Sequence, residues 1–411
     1  MKGYESFIAK KSVTDPDTGM SVIPDLNPML FEYQRDIIRW ALRRGRAGVY
    51  ADCGMGKGPI AMEWANRQPH ECIISAPLAV AHQFVREAQK FGIDLAYAKD
   101  HSQITKRITV TNFERLENFH LDQFGAVAQD ESSILKNASG AYCNWAIDAF
   151  KGTPFRLCLS ATPAPNDVME ICTQAEFLGV MTRGEMLAMY FTHDGGDTSK
   201  WRVKGHAKKA FWEWLASWAV MLRKPSDLGY SDEGFILPPL LMHEQCVKVN
   251  HAQQGYLFAM EAQTLQERQA ARRDSIGDRV KACADIVNST DRPFLVWCNL
   301  NAESESLTKA INGAVEVRGS DSDDHKERAI AGFIDGSIRV IVSKPRIVGL
   351  GLNFQHCADM AYVGLSDSYE QLYQSIRRCW RFGQTRPVNV HVITAETEGA
   401  VVSNIRRKER E

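Results

Sequence analysis

The chain is predicted to be an α/β protein: two domains with parallel β-sheets, joined by a helical connector. Three observations predict it. From about residue 31, short apolar runs alternate with helical patterns, which is the rhythm of a parallel sheet covered on both faces. Between roughly 181 and 240 the rhythm stops, and then it resumes. At 411 residues the chain is also too long for one ordinary core.

Residues 1–30 carry turn signals at Asp15-Pro16-Asp17, Pro24 and Pro28, and are expected to form an N-terminal extension with little core of its own. The first domain is expected over 31–180, with strands at Ala47–Ala51, Cys72–Ser75, Ile108–Thr111, Ala126–Gln129 and Phe155–Ser160. Over 181–240 the chain is rich in Trp, Lys and Gly and ends in Leu237-Pro238-Pro239. That stretch reads as helices and a connector. The second domain is expected over 241–411, with strands at Phe294–Cys298, Val315–Val317, Arg339–Ser343, Met360–Leu365 and Asn389–Ile393. The tail Arg406–Glu411 reads as the end of a solvated helix.

Composition narrows the function classes. A formal net charge of -1 gives no global basic field, so any polyanion binding must come from local patches. Ten cysteines occur without a Cys-x-x-Cys pair, which argues against zinc and for reduced, mostly buried thiols in a cytosolic protein. Met1-Lys2-Gly3-Tyr4-Glu5-Ser6 does not read as a signal peptide. No apolar run approaches the roughly 18 residues of a membrane span.

A phosphate loop is expected after the first strand. Val49-Tyr50-Ala51 is followed by Asp52-Cys53-Gly54-Met55-Gly56-Lys57-Gly58, Pro59 suits a helix start, and Ile60–Ala65 reads as helix. Strand, glycine-rich turn, lysine and helix is the geometry that points backbone N–H groups and a helix dipole at phosphates. Gly54, Met55, Gly56, Lys57 and Gly58 are therefore candidate nucleotide-binding residues, with Lys57 reaching the β- and γ-phosphates. The strict pattern fails at both ends: Ala51 stands in the first glycine position, and Gly58 stands where a Ser or Thr hydroxyl normally binds Mg²⁺. An ordinary glycine-rich αβ turn shares the pattern.

Asp130-Glu131-Ser132-Ser133 follows the apolar stretch Ala126-Val127-Ala128. At the tip of a central strand, Asp130 would hold Mg²⁺ through water and Glu131 would orient and deprotonate an attacking water. Acidic residues also favour a helix N-terminus, so the pair alone leaves both readings open. Ser160-Ala161-Thr162-Pro163 ends another strand at the carboxyl edge, where α/β ligands bind, although small hydroxyl residues there also make turns. Downstream, Gln374–Gln384 begins helical and is expected to stop at Gly383. Arg378 and Arg381, three apart, share one helix face. Such a pair can neutralise a transferring phosphoryl group, or form a solvated basic face.

Taken in order, these segments resemble a superfamily-two DEAD/DEAH-like helicase of the Swi/Snf-type branch, in the small form typical of bacteriophage and prophage genomes. Phe31-Glu32-Tyr33-Gln34 resembles the motif that recognises adenine, with Gln34 in the glutamine position. Asp52–Gly58 resembles motif I, Ser75-Ala76-Pro77 motif Ia, Thr111-Asn112-Phe113-Glu114 the motif after it, Asp130–Ser133 the DExx box and Leu159–Pro163 motif III. In the second half, Leu295-Val296-Trp297-Cys298 resembles motif IV, and Arg318-Gly319-Ser320 with Glu327-Arg328 the next block. Ser343-Lys344 with Gly349–Asn353 resembles motif V, and Gln374–Gln384 motif VI. The resemblance covers roughly 28 to 395.

It implies two RecA-like domains with ATP and Mg²⁺ in the cleft between them, and ATP hydrolysis stimulated by nucleic acid. It implies nucleotide contacts by Gln34, Asp130 and Gly351, arginine fingers at Arg378 and Arg381, and coupling through Ser160, Thr162 and Gln374. Thr111, Asn112, Ser343, Lys344 and Asn353 are the candidate nucleic-acid contacts, made mostly to phosphate and sugar. The expected partner is DNA, with RNA less favoured, no membrane, and a monomer in a bacterial or phage-infected host cytoplasm. The departure at Gly58 sets a second expectation beside an active translocase: an ATP-gated nucleic-acid-binding protein with weak turnover. In the segment 201–215, cations mix with aromatics, a combination that can stack bases. However, Phe211, Trp214, Leu215 and Trp218 fall at helical spacing and read as a core stripe, leaving Lys204, Lys208 and Lys209 to face DNA.

Overall fold

The computed structural model describes residues 16–165, 167–194, 197–247, 273–348, 352–364 and 368–395. The chain divides into two compact units, Met1–Asp232 and Glu233–Glu411. No helix among the described residues is long and apolar enough to cross a membrane.

The first unit holds strands β1 (Arg46–Ala51), β2 (Cys72–Ala76), β3 (Leu95–Tyr97), β4 (Ile108–Asn112), β5 (Ala126–Asp130), β6 (Phe155–Leu159), β7 (Phe191–Asp194), β8 (Asp197–Val203) and β9 (Ala219–Leu222). Seven of them form one wholly parallel sheet in the order β3-β4-β2-β5-β6-β1-β9. Every residue of β2, β4, β5 and β6 is buried, which is why these strands read as continuous apolar runs. Register aligns Asp130 with Leu159, and Leu159 with Val49. The carboxyl ends of β5, β6 and β1 therefore lie side by side.

The stretch expected as a helical connector is different in the structure. It contains a β7–β8 hairpin and the helices Arg183–Tyr190 and Lys208–Trp218. It also contains β9, which pairs with β1 and completes the first sheet. Four residues on a sheet edge carry too little periodicity to stand out beside an amphipathic helix. The described part of the N-terminal extension is tied to this unit as well. The N–H groups of Thr18, Gly19 and Met20 bond the carbonyls of Arg44, Arg43 and Leu42 at 3.1, 2.9 and 2.8 Å. They thereby satisfy the otherwise orphaned end of the helix Glu32–Arg44.

The second unit holds β10 (Leu240–Val247), β11 (Phe294–Cys298), β12 (Ala314–Val317), β13 (Val340–Ser343), β14 (Asp359–Val363) and β15 (Val388–Ala395). Its sheet is also wholly parallel, in the order β10-β15-β14-β11-β13-β12. Edge strand β10 escaped the sequence pattern because its middle residues are exposed. With two parallel, helix-covered sheets, the expected α/β class holds.

One buried ion pair braces the carboxyl edge of this second sheet. Arg279 and Glu303, both 0% exposed, meet at 2.7 Å. The other Glu303 oxygen accepts the N–H groups of Asn299 and Leu300, each at 2.8 Å, just past β11. Gly364, just past β14 with φ 77°, leaves the room the pair needs: a Cβ there would lie 2.8 Å from Arg279 Nη1. Glu303→Ala is expected to cost about 3–5 kcal/mol, because it strands a buried guanidinium. Urea titration followed by hydrogen exchange of β11 peptides reads that loss.

Candidate active site

The phosphate-loop candidate has the backbone its glycines allow. Gly54 (φ 90°) and Gly56 (φ 78°) both lie in the left-handed region, where a side chain is strained. The N–H of Met55 closes the turn onto Asp52 O at 3.2 Å. The helix Lys57–Arg67 then starts with no side-chain cap, so its first N–H groups and positive dipole end suit an anion. Lys57 Nζ donates to Ala51 O at 2.9 Å, at the end of β1.

Gln34 is buried and holds this loop. Its Nε2 donates to Met55 O (3.2 Å) and to the Tyr33 hydroxyl (3.3 Å), and its Oε1 accepts the Phe31 N–H (3.1 Å). The Tyr33 hydroxyl also donates to Met55 O, at 2.8 Å. Burial raises the Tyr33 phenol well above its usual range, keeping it a donor. A Cβ on Gly56 would fall 2.1 Å from Gln34 Nε2. At Gly58 there is room: a Cβ would meet only Glu87 Oε2 at 3.5 Å and Phe84 at 3.9 Å.

Asp130 ends β5 and is 6% exposed, and Glu131 follows at 7%. Glu131 has φ 56° and ψ 50°, the one non-glycine residue with positive φ among those described. Backbone of this kind costs about 1–3 kcal/mol and persists where the surroundings impose it. Its buried Oε2 has no hydrogen-bond partner among the described residues. Ser132, next in line, donates its hydroxyl to Gln174 Oε1 at 2.7 Å. Ser160 shapes the loop after β6 by accepting the Thr162 N–H at 3.0 Å. Gln174 Nε2 donates to Pro163 O at 2.6 Å. Sequence reasoning missed Gln174; its signal was a lone amide inside the otherwise buried helix Ile171–Leu178.

The expected nucleic-acid contacts divide. Thr111 is fully buried with its hydroxyl on Ala98 O (2.9 Å), and Ser343 is buried with its hydroxyl on Val317 O (2.8 Å). Both hydroxyls therefore close strand ends and do not present themselves at the surface, which corrects the expectation for them. Asn112 bonds Tyr97 and Glu114, at 2.9 and 2.6 Å. Lys344 lines a groove of ≈ 420 Å³ with Arg318, Arg346, Gly319 and Ser320. Arg346 was not singled out from sequence, because one cation outside a run gives no signal. Asn353 is partly buried, and Gly351 lies outside the described residues.

In the arginine segment the helix Tyr369–Ile376 stops earlier than expected, and turns carry the chain to Gly383 (φ 89°). The two arginines still converge. Arg378 Nη1 and Arg381 Nη1 each donate to Leu352 O at 3.3 Å, and Arg378 Nε donates to Gln374 O at 2.8 Å. In the aromatic segment the packing reading holds: Phe211, Trp214, Leu215 and Trp218 are buried, whereas Trp212 is 49% exposed. Lys204 Nζ donates to Ala188 O at 2.6 Å, at the end of the helix Arg183–Tyr190. Lys208 and Lys209 are exposed.

Among the described residues no group of three or more His, Cys, Asp or Glu side chains is disposed to hold a metal. A cation here would depend on Asp130, water and a ligand's own oxygens, the usual manner for Mg²⁺.

Residues 278–383 match the helicase conserved C-terminal domain. The chain is 21% identical over 432 residues to the DNA annealing helicase and endonuclease ZRANB3 of Mus musculus, covering 92% of this chain and 40% of that protein. It is 27% identical over 158 residues to the SWI/SNF-related matrix-associated actin-dependent regulator of chromatin subfamily A-like protein 1 of Xenopus laevis, covering 35% of this chain and 16% of that protein. The Sulfolobus solfataricus SWI2/SNF2 ATPase core in complex with dsDNA aligns at TM-score 0.44 and 15% identity, covering 91% of this chain and 89% of that one. Residues 278–383 of the second unit thus match the helicase conserved C-terminal domain, and most of the chain aligns with a DNA annealing helicase and endonuclease of which it spans 40%.

Proposed function

We propose that the chain is an ATP-dependent DNA translocase or helicase that couples ATP hydrolysis to movement on, or remodelling of, DNA. The observation that carries the reading is the edge where β1, β6 and β5 end side by side. It brings the glycine loop, Ser160 and the strained Glu131, whose buried Oε2 has no hydrogen-bond partner among the described residues, to one face. Lys57 and the loop N–H groups hold the phosphates. Gln34 keeps one carbonyl lone pair for an adenine amino group while its other bonds hold the loop. Glu131 orients the attacking water and takes its proton. Asp130 would hold Mg²⁺, which would supply positive charge beside the nucleotide's phosphates. Arg378 and Arg381, which converge on Leu352 O in the second unit, form a cation pair suited to neutralising a phosphoryl group. Lys344 and Arg346 grip the DNA backbone from their shared groove in the second unit, so binding weakens with salt.

The test is ATPase activity measured in parallel with single-stranded, duplex and branched DNA and with RNA. Stimulation by DNA supports the reading; stimulation by RNA alone replaces it with an RNA helicase. Gly58 favours a second reading, an ATP-gated DNA-binding protein with weak turnover. Gly58→Thr finds room for its Cβ and is expected to tighten Mg²⁺ binding in the presence of ADP by up to about tenfold, the scale of one contact around a metal, and to raise turnover. Unchanged Mg²⁺ affinity and turnover would show that Gly58 limits neither.

A further inference from the structure

We propose that Gln174 is a positioning residue that ties the acidic pair to the 160–164 loop, so that the two respond to nucleotide as one body. This rests on the ATPase reading above. The tie is a single amide with both ends occupied. Its Oε1 accepts from Ser132, the residue after Glu131, at 2.7 Å, and its Nε2 donates to Pro163 O at 2.6 Å. Gln174 and Ser132 are both 0% exposed, so neither bond has water as a substitute. The polarity is fixed from the Pro163 side. A carbonyl only accepts, so the NH₂ end must face it, and the remaining oxygen must face Ser132.

The support beneath the amide is stiff. Arg156 donates to Phe177 O in the same helix, and Gly179 ends that helix in the left-handed conformation at φ 69°. A displacement of Asp130-Glu131 therefore reaches Pro163 through two hydrogen bonds and one buried side chain held at both ends.

The experiment uses the full chain, with hydrogen exchange of the 160–164 segment measured with and without ADP and Mg²⁺, beside direct ADP binding. In the parent, nucleotide is expected to slow exchange about tenfold, within the ~5–150-fold range of coupled sites. Gln174→Met keeps the length, removes both bonds, and is expected to bind ADP without slowing exchange in this segment. Gln174→Glu supplies a signature that packing alone would not give. Burial raises a carboxyl pKa. Below that pKa the neutral acid donates to Pro163 O and accepts from Ser132, restoring the coupling. Above it the carboxylate faces a carbonyl, and the coupling disappears. Exchange rates corrected for intrinsic pH dependence read this directly. Should Gln174→Met fail to fold, the pH response of Gln174→Glu decides. Full nucleotide-linked protection in a folded Gln174→Met, or a Gln174→Glu response indifferent to pH, overturns the inference alone. Absence of ADP binding in the parent overturns the ATPase reading, and the inference falls with it.

Discussion

Glu131→Gln is expected to bind ATP as the parent does and to hydrolyse it about 10²–10⁴-fold more slowly, the usual contribution of a general base. The substitution is nearly isosteric, and it leaves the left-handed backbone at φ 56° as it was. It removes an acidic group whose Oε2 is buried with no hydrogen-bond partner among the described residues, so the folded state should lose nothing. Glu131→Gly goes further. It relieves the backbone strain and is expected to stabilise the fold by about 1 kcal/mol while remaining equally inactive. Single-turnover phosphate release, equilibrium binding of a fluorescent ATP analogue, and thermal melting separate these effects. Rapid turnover in Glu131→Gln would remove Glu131 from its role. Backbone strain held at a residue assigned to the chemistry is what a functional site is expected to leave behind.

Asp130→Asn is expected to be the more damaging change for metal use. With Gly58 offering no hydroxyl, Asp130 is the main protein group assigned to Mg²⁺. Losing a group that acts through bound water costs about 10–100-fold in metal affinity. The readout is the Mg²⁺ concentration needed for half-maximal ADP binding and for turnover. Combining Asp130→Asn with Gly58→Thr should recover part of the loss, as expected when two groups serve one ion. An Asp130→Asn protein with the parent's Mg²⁺ requirement would end the assignment.

Much of the fold was legible because parallel, doubly covered strands announce themselves. Phe294–Cys298 matches the expected strand at both ends, and Ala126–Asp130 runs one residue beyond it. Short or exposed edge strands do not announce themselves, and β3, β9 and β10 were missed for that reason. The glycine loop was legible in residue type and order, and Gly54 and Gly56 adopt the φ values their identity allows. Side-chain direction was not legible. Nothing in Thr111-Asn112 or Ser343-Lys344 distinguishes a hydroxyl that closes a strand end from one that meets a ligand. The structure turns Thr111 and Ser343 inward and leaves Lys344 on its groove. Gln174 was invisible for a related reason: its importance lies in what it touches forty-two residues away.

Positions 34 and 56 occupy one shared volume, since a Cβ at 56 would sit 2.1 Å from the Gln34 amide nitrogen. The glycine is therefore answerable to its distant neighbour as well as to its own backbone. In evolutionary terms the two sites should drift as a pair, because spatial contact shows up as covariation. Shortening residue 34 would clear the space at 56 but leave the strain of its left-handed backbone.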